Sequence, residues 1–201
     1  KLPKNKGVVI VKHANPSGVS IEKNHLKSFL SARNCDPVSA FGGVVTCNFK
    51  MSIKIAKEIV KNFYEVVIAN GYDRSALKVL KNKKNLRLID SSKVNLNNDI
   101  KIYSGINSFL MQSSDSKVLS IKNFKVVSKI KPSKQLMDQL IFSFNVCRSV
   151  KSNAIVICQN NKTLGIGSGQ PSRLDSCKIA IDKMQKFKQF NHNDPLVAAS
   201  D

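Results

Sequence analysis

Two neighbouring side chains near the amino terminus could move a proton and steady a charge. In VVIVKHANPSG, residues 8–18, four β-branched aliphatics run directly into Lys12 and His13. Imidazole titrates near neutrality and can take a proton from a nucleophile. An adjacent ammonium can stabilise developing negative charge or protonate a leaving group. Pro16 stiffens and Gly18 loosens the loop expected around the pair. A lone histidine is also a common structural hydrogen-bonding residue, so on these residues alone the structural and catalytic readings of His13 both stand. His25 and His192 lie in polar surroundings and take no role.

Two further stretches could face a ligand. In SAFGGVV, residues 39–45, paired glycines ahead of a strand allow close backbone approach, and Phe41 could stack on a flat ring. A tight turn with a core phenylalanine fits the same residues. In KSNAIVICQNNKTLGIGSGQPSR, residues 151–173, the glycines precede a helix start, where anions bind readily. Arg173 falls in the first helical turn, placed to grip phosphate or carboxylate. GIGSGQ lacks the third glycine of GxGxxG, and no acidic residue follows a next strand at the expected distance, which disfavours a dinucleotide site. Asn153 opens a buried strand and needs a partner, from the protein or from a ligand.

The elements that must position these residues alternate short aliphatic runs with amphipathic segments, the pattern of an α/β domain with a parallel or mixed sheet. Unbroken aliphatic strands predict burial on both faces, with polar carboxyl ends where open α/β sheets build ligand sites. Strands are expected at 8–12, 42–47, 65–69, 86–89, 109–112, 153–158 and 164–169, with a hairpin-like turn at 160–163. Helices are expected from about Glu22 to Arg33, after Ser52 with Ile55, Ile59 and Phe63 on one face, after Asp73, from Pro132 and Ser133 to Cys147, and from Pro171 onward. A polar, turn-rich stretch near residues 90–101 separates the two halves, each of which follows an aliphatic strand with a polar, glycine-containing loop.

At 201 residues with 42% hydrophobic content, the chain can fill a real core, and no apolar run approaches a membrane span. The start KLPKNKG has no apolar stretch of a signal peptide, so a cytoplasmic protein is expected. Five scattered cysteines without a CxxC pair indicate neither a disulfide framework nor zinc, and read as reduced, mostly buried thiols. A net charge of +20 raises nucleic acid as a partner. The lysines are spread along helix faces and turns, without an arginine cluster or interleaved aromatics, which favours anionic small molecules instead.

Taken together and in order, KHANPSG, DPVSAFGG, EVVIANGYDRSALKVLKNKKNLRLI and VKSNAIVICQNNKTLGIGSGQPSR closely resemble the formyltransferase domain of the purine-biosynthesis enzymes that join AICAR transformylase to IMP cyclohydrolase. The resemblance runs from about Gly7 to Asp201. It implies transfer of a formyl group from 10-formyltetrahydrofolate, as co-substrate, to the 5-amino group of AICAR, giving FAICAR for closure to IMP. It also implies that His13 accepts the amine proton and Lys12 stabilises the transition state. Nucleotide contacts carry over to Gly42, Glu65, Asn153 and Arg173, and a folate backbone contact to Leu174. Asn153 would orient the formyl group and the amine.

The implied fold is a three-layer α/β arrangement related to cytidine deaminase. It has two similar subdomains, here residues 1–89 and 109–201 joined by a connection at 90–108, and the intact protein is a homodimer. Neither membrane nor nucleic acid is expected as a partner, and the residues carry no signature for or against a structural potassium ion. Three departures stand out: Ser17 replaces the usual cysteine of KHANPCG, Pro171 stands where methionine or glutamine is common, and Glu65 stands where some members have aspartate. The cyclohydrolase domain, an upstream AICAR-binding arginine and a downstream AFFPFRD motif are not in the sequence, so an internal fragment of a longer enzyme is expected. A zinc deaminase is excluded by ligands, since no H-x-E or P-C-x-x-C occurs. An inactive interaction fragment and a basic nucleic-acid-binding module are the remaining alternatives.

Overall fold

The computed structural model describes residues 2–94, 100–115, 117 and 119–201. Strands β1 (Gly7–Lys12) and β2 (Asn15–Ile21) form an antiparallel hairpin. Strand β3 (Gly43–Cys47) lies antiparallel on the other side of β1, and β4 (Tyr64–Ala69) and β5 (Arg87–Asp90) follow it in parallel. Strands β6 (Ile100–Gly105) and β7 (Ser108–Ser113) make a separate hairpin. Strands β8 (Ile155–Gln159), β9 (Lys162–Gly167) and β10 (Val197–Ser200) complete an eight-stranded mixed sheet in the order β10, β8, β9, β2, β1, β3, β4, β5. The α/β expectation holds, and β2 against β9 joins strands from the two halves in one sheet.

Among the described residues six α-helices attend the sheet: α1 (His25–Cys35), α2 (Pro37–Ala40), α3 (Ile53–Ile59), α4 (Arg74–Leu80), α5 (Lys134–Cys147) and α6 (Arg173–Phe187). Val8, Ile10, Val45 and Val67 point into one cluster with Phe29, Ile55, Ile59 and Leu80, all fully buried. Each such side chain contributes about 1.5–3 kcal/mol by leaving water. A second cluster sets Phe142, Val146 and Cys147 of α5 against Val19, Val156 and Ile166. The alternate residues Val9, Val11, Val44, Val66 and Ile68 are only half-buried. The runs of β1, β3 and β4 are therefore fully covered on one face only, whereas β8 and β9, between α5 and α6, are buried on both faces as their composition predicts.

The two halves repeat one device. In each, a hairpin turns on two non-glycine residues of positive φ, His13 (48°) and Ala14 (62°) in one, Asn160 (50°) and Asn161 (58°) in the other. In each, the helix after the hairpin presses on glycine in its second strand. A Cβ at Gly18 would sit 1.9 Å from the Ala32 carbonyl oxygen of α1, and Cβ atoms at Gly165 and Gly167 would sit 1.9 and 1.8 Å from the Ala180 and Ser176 carbonyl oxygens of α6. Gly165 and Gly167 thus let α6 lie flat on β9, and packing accounts for these two glycines; Gly169, at φ 66°, lies in the turn before α6.

Several expectations are corrected. Pro16 and Gly18 belong to strand β2, so the loop after Lys12 shrinks to His13 and Ala14. The strand tolerates Pro16 because the register shifts there: Ile10 faces Gly18 while Val11 faces Pro16, leaving Ser17 as a bulge. The first helix begins at His25, not near Glu22, because the Asn24 side chain accepts from the Lys27 amide and caps it. Phe63 lies beyond α3 and is half exposed, its ring 5.3 Å from that of Phe41. Strands β6 and β10 and the short helix α2 carry no clear sequence signal. In the expected connection at 90–108, positions 95–99 lie outside the described residues.

Candidate active site

Antiparallel and parallel pairings gather the candidate residues at one end of the sheet. The carboxyl end of β1, the amino ends of β2, β3 and β4, the carboxyl end of β9, the amino end of β8 and the carboxyl end of β10 all meet there. Lys12 closes β1 opposite Asn15. Its ammonium donates to the Phe41 carbonyl oxygen. Gly42, at φ 67°, follows directly, and a Cβ there would stand 2.9 Å from Lys12 Nζ. Glycine at 42 therefore leaves the ammonium open, and its amide donates to the Phe63 carbonyl at 2.9 Å. His13 stands exposed at the tip of the turn, with no hydrogen-bond partner among the described residues.

Glu65 lies at the start of β4, where the β3–β4 register shifts between Gly43 and Val44. It is exposed, and no ion pair holds it among the described residues. Ser17, the departure from the resembling motif, is buried and donates to the Ile10 carbonyl at 3.2 Å. It closes the bulge and points back into the hairpin.

The second group is tied by backbone bonds. Asn153 donates from Nδ2 to the Gln170 and Pro171 carbonyls at 2.8 and 3.0 Å, and its own amide donates to Gln170 O at 3.1 Å. Both side-chain N–H groups are thus committed to the turn before α6, and Oδ1 remains able to accept a hydrogen bond. Ser176 Oγ donates to the Asn153 carbonyl at 2.7 Å. Arg173 is the first residue of α6 and Leu174, largely exposed, the second.

Arg173 Nη1 donates to Asp201 Oδ1 at 2.7 Å and to the Ser200 hydroxyl. Asp201 Oδ1 also accepts from the Ala154 amide at 2.9 Å. Hydrogen bonds from the Ser152 hydroxyl and the Ala154 amide, with the Arg173 guanidinium, hold the Asp201 carboxyl well below the usual carboxylate range. The helix start itself is closed, since Ser172 Oγ accepts from the Asp175 amide and Asp175 adds a negative charge to the first turn. The Arg173 guanidinium is the cationic group at this helix start, and it is paired with Asp201.

Lys12, His13, Gly42 and Glu65 therefore form one group, and Asn153, Arg173 and Leu174 the other. Sequence reasoning missed Asn15, whose Oδ1 accepts from the Lys151 amide at 3.0 Å across 136 positions of chain. It also missed Asp201, because the four residues of β10 are too short to show a pattern. All five cysteines are free and four are buried; burial pushes Cys35 and Cys47 up to about 12 and Cys147 to about 11, which keeps them as inert thiols. Among the described residues, no group of three or more His, Cys, Asp or Glu is placed to hold a metal, and no helix is long and apolar enough to cross a membrane.

Comparison with known proteins decides the family. The model of the AICARFT/IMPCHase bienzyme family matches residues 2–183, nine-tenths of the chain. The chain belongs to the AICARFT/IMPCHase bienzyme family. It is 44% identical over 187 residues to the bifunctional purine biosynthesis protein PurH of Buchnera aphidicola subsp. Schizaphis graminum, covering 92% of this chain and 35% of that protein. It is 43% identical to the Aquifex aeolicus protein of the same name, covering 93% and 36%, and 42% identical to that of Clostridium kluyveri, covering 96% and 36%. The chain thus spans about a third of the length of the curated relatives it matches. All seven residues carried over by resemblance fall inside the segment that matches the AICARFT/IMPCHase family; Asp201 lies outside it.

Proposed function

We propose that the protein carrying this chain transfers a formyl group from 10-formyltetrahydrofolate to the 5-amino group of AICAR, giving FAICAR and tetrahydrofolate in purine (IMP) biosynthesis. The observation that carries the reading is the juxtaposition at one sheet end of an unpartnered imidazole, a lysine ammonium beside a glycine, and an asparagine whose one open group is an acceptor. Formyl transfer needs these three. The amine nitrogen attacks the formyl carbon, and the carbonyl oxygen gathers negative charge that the Lys12 ammonium stabilises. His13 takes the proton the amine loses and returns it to folate N10 as the carbon–nitrogen bond to folate breaks, so atoms and charge balance. Asn153 Oδ1 accepts from the amine N–H and turns its lone pair toward the formyl carbon.

Arg173 and Glu65 serve the nucleotide in this account: the guanidinium takes an anionic group, and the unpaired carboxylate takes hydroxyls. Leu174 offers its backbone and exposed side chain to the folate. The same reading includes the finer fold class, a three-layer, cytidine deaminase-like arrangement of two similar subdomains, supported by the repeated hairpin-and-helix device. It also includes a homodimer, supported by the half-exposed aliphatic face and by the β6–β7 hairpin, whose strand residues are all exposed. A cytoplasmic setting agrees with five free thiols. The strongly positive field favours these anionic small molecules over nucleic acid.

Ligand-dependent melting tests the nucleotide half of the site. AICAR at a hundredfold excess over its Kd stabilises the protein by about 2.7 kcal/mol. Arg173→Ala is expected to abolish most of that shift at the same AICAR concentration. An unchanged shift in the variant removes Arg173 from the site, and no shift in the unsubstituted protein removes AICAR as substrate.

A further inference from the structure

The two groups of candidate residues sit on strands that part company at the site end of the sheet. β2 and β9 are joined at the far end, where Ser20 pairs with Lys162, the Ile21 amide donates to the Asn161 carbonyl at 2.9 Å, and Thr163 Oγ1 exchanges hydrogen bonds with the Val19 backbone. Toward the site the ladder stops for a reason written in the sequence. Ser17 is bulged and turns its hydroxyl to Ile10, and Pro16 has no N–H to offer. Backbone pairing therefore cannot fix the spacing between the His13 turn and the Asn153 loop.

A single side chain spans the gap. Asn15 opens β2 directly opposite Lys12, and its Oδ1 accepts from the Lys151 amide at 3.0 Å. The Lys151 carbonyl in turn accepts from the Gly169 amide at 2.7 Å, and Asn153 bonds to Gln170 next along. Among the described residues this is the one hydrogen bond between the two groups at the site end. Lys183 and Asp36 form a further polar link between the halves, on the helix layer.

We propose that Asn15 is a positioning residue for the transfer: by holding the Lys151 amide, its carboxamide oxygen sets the Asn153 and Arg173 group at working distance from Lys12 and His13. The proposal rests on the formyl-transfer reading. Asn15 touches no substrate in this account. Its removal lets the two groups drift, which costs rate because displacement of reacting groups by an ångström costs on the order of a hundredfold. AICAR, whose proposed contacts fall on both groups, keeps each of those contacts, so the loss falls on alignment of the reacting atoms more than on binding.

The test compares Asn15→Leu, similar in size but without an acceptor, with Asn15→Asp, which keeps the acceptor, in steady-state formyl transfer by the protein carrying this chain. Asn15→Leu is expected to lower kcat roughly ten- to a hundredfold while KM for AICAR changes less than about threefold, a split that marks lost alignment and not lost binding. Asn15→Asp is expected to recover most of kcat. Amide hydrogen exchange at Lys151 should accelerate in the leucine variant and stay slow in the aspartate variant. Near-normal kcat in Asn15→Leu, or an equal loss in Asn15→Asp with Lys151 still protected, overturns the positioning role while leaving formyl transfer standing. Absence of turnover in the unsubstituted protein overturns the function reading itself, and this role with it.

Discussion

His13 and Ala14 occupy the left-handed region in a turn whose geometry favours asparagine and glycine. Each non-glycine residue held there costs about 1–2 kcal/mol. The chain accepts that strain at the one turn that presents its candidate base, whereas the equivalent turn of the second hairpin uses Asn160 and Asn161, which tolerate the conformation better. Ala14→Gly is therefore expected to raise stability by about 1 kcal/mol, seen as a melting temperature roughly 3 °C higher. A lower melting temperature would show that Ala14 is not under strain. His13 was legible as a candidate from its neighbours in sequence. Its place on a two-residue turn was not, because KHANPSG reads as one polar loop until the bulge at Ser17 lets Pro16 enter a strand.

Elements bring the halves together through a charge that the local sequence does not announce. Asp36 caps α2, accepting from the Ser39 amide at 2.9 Å, and meets Lys183 of α6 at 2.8 Å. Burial alone would raise its pKa; the Lys183 ammonium with the Ser39 amide and hydroxyl outweigh it and hold the carboxyl below its ordinary value. A carboxylate with a lowered folded pKa stabilises the fold above its unfolded pKa, near 3.9, and loses that contribution as pH falls through the folded value. Asp36→Asn should cost roughly 2 kcal/mol at pH 7, at the lower side of buried pairs because Lys183 is partly exposed, and should flatten the decline in stability below about pH 4. An unchanged acid limb in urea titrations would remove the pair from the stability of the fold. Most strands and helices were readable from aliphatic runs and caps, as at Ser133, which accepts from the Leu136 amide at 3.2 Å. The Asp36–Lys183 pair, β10 and the link from Asn15 to Lys151 join positions far apart in sequence, and only the folded sheet order sets them side by side.

At the scale of the whole molecule, the sheet gathers the candidate residues at one end and leaves apolar surface elsewhere. Of the strands that composition predicts to be buried twice, β8 and β9 are, while β1, β3 and β4 are fully covered once, and the β6–β7 hairpin exposes Ile102, Tyr103, Phe109, Leu110 and Met111. A lone two-stranded hairpin is marginal in water, so this arm calls for a partner surface. A second copy is the proposed one: sedimentation should give twice the protomer mass, and Ile102→Asp with Phe109→Asp should give the protomer. A monomeric unsubstituted protein at micromolar concentration would contradict the dimer. The central claim is that this sheet end moves a formyl group with His13 as the base, and the most direct measurement is the turnover of His13→Ala beside its AICAR binding. The account predicts a loss of kcat on the order of a hundred- to ten-thousandfold with AICAR still bound; turnover within a few fold of the unsubstituted protein would contradict it.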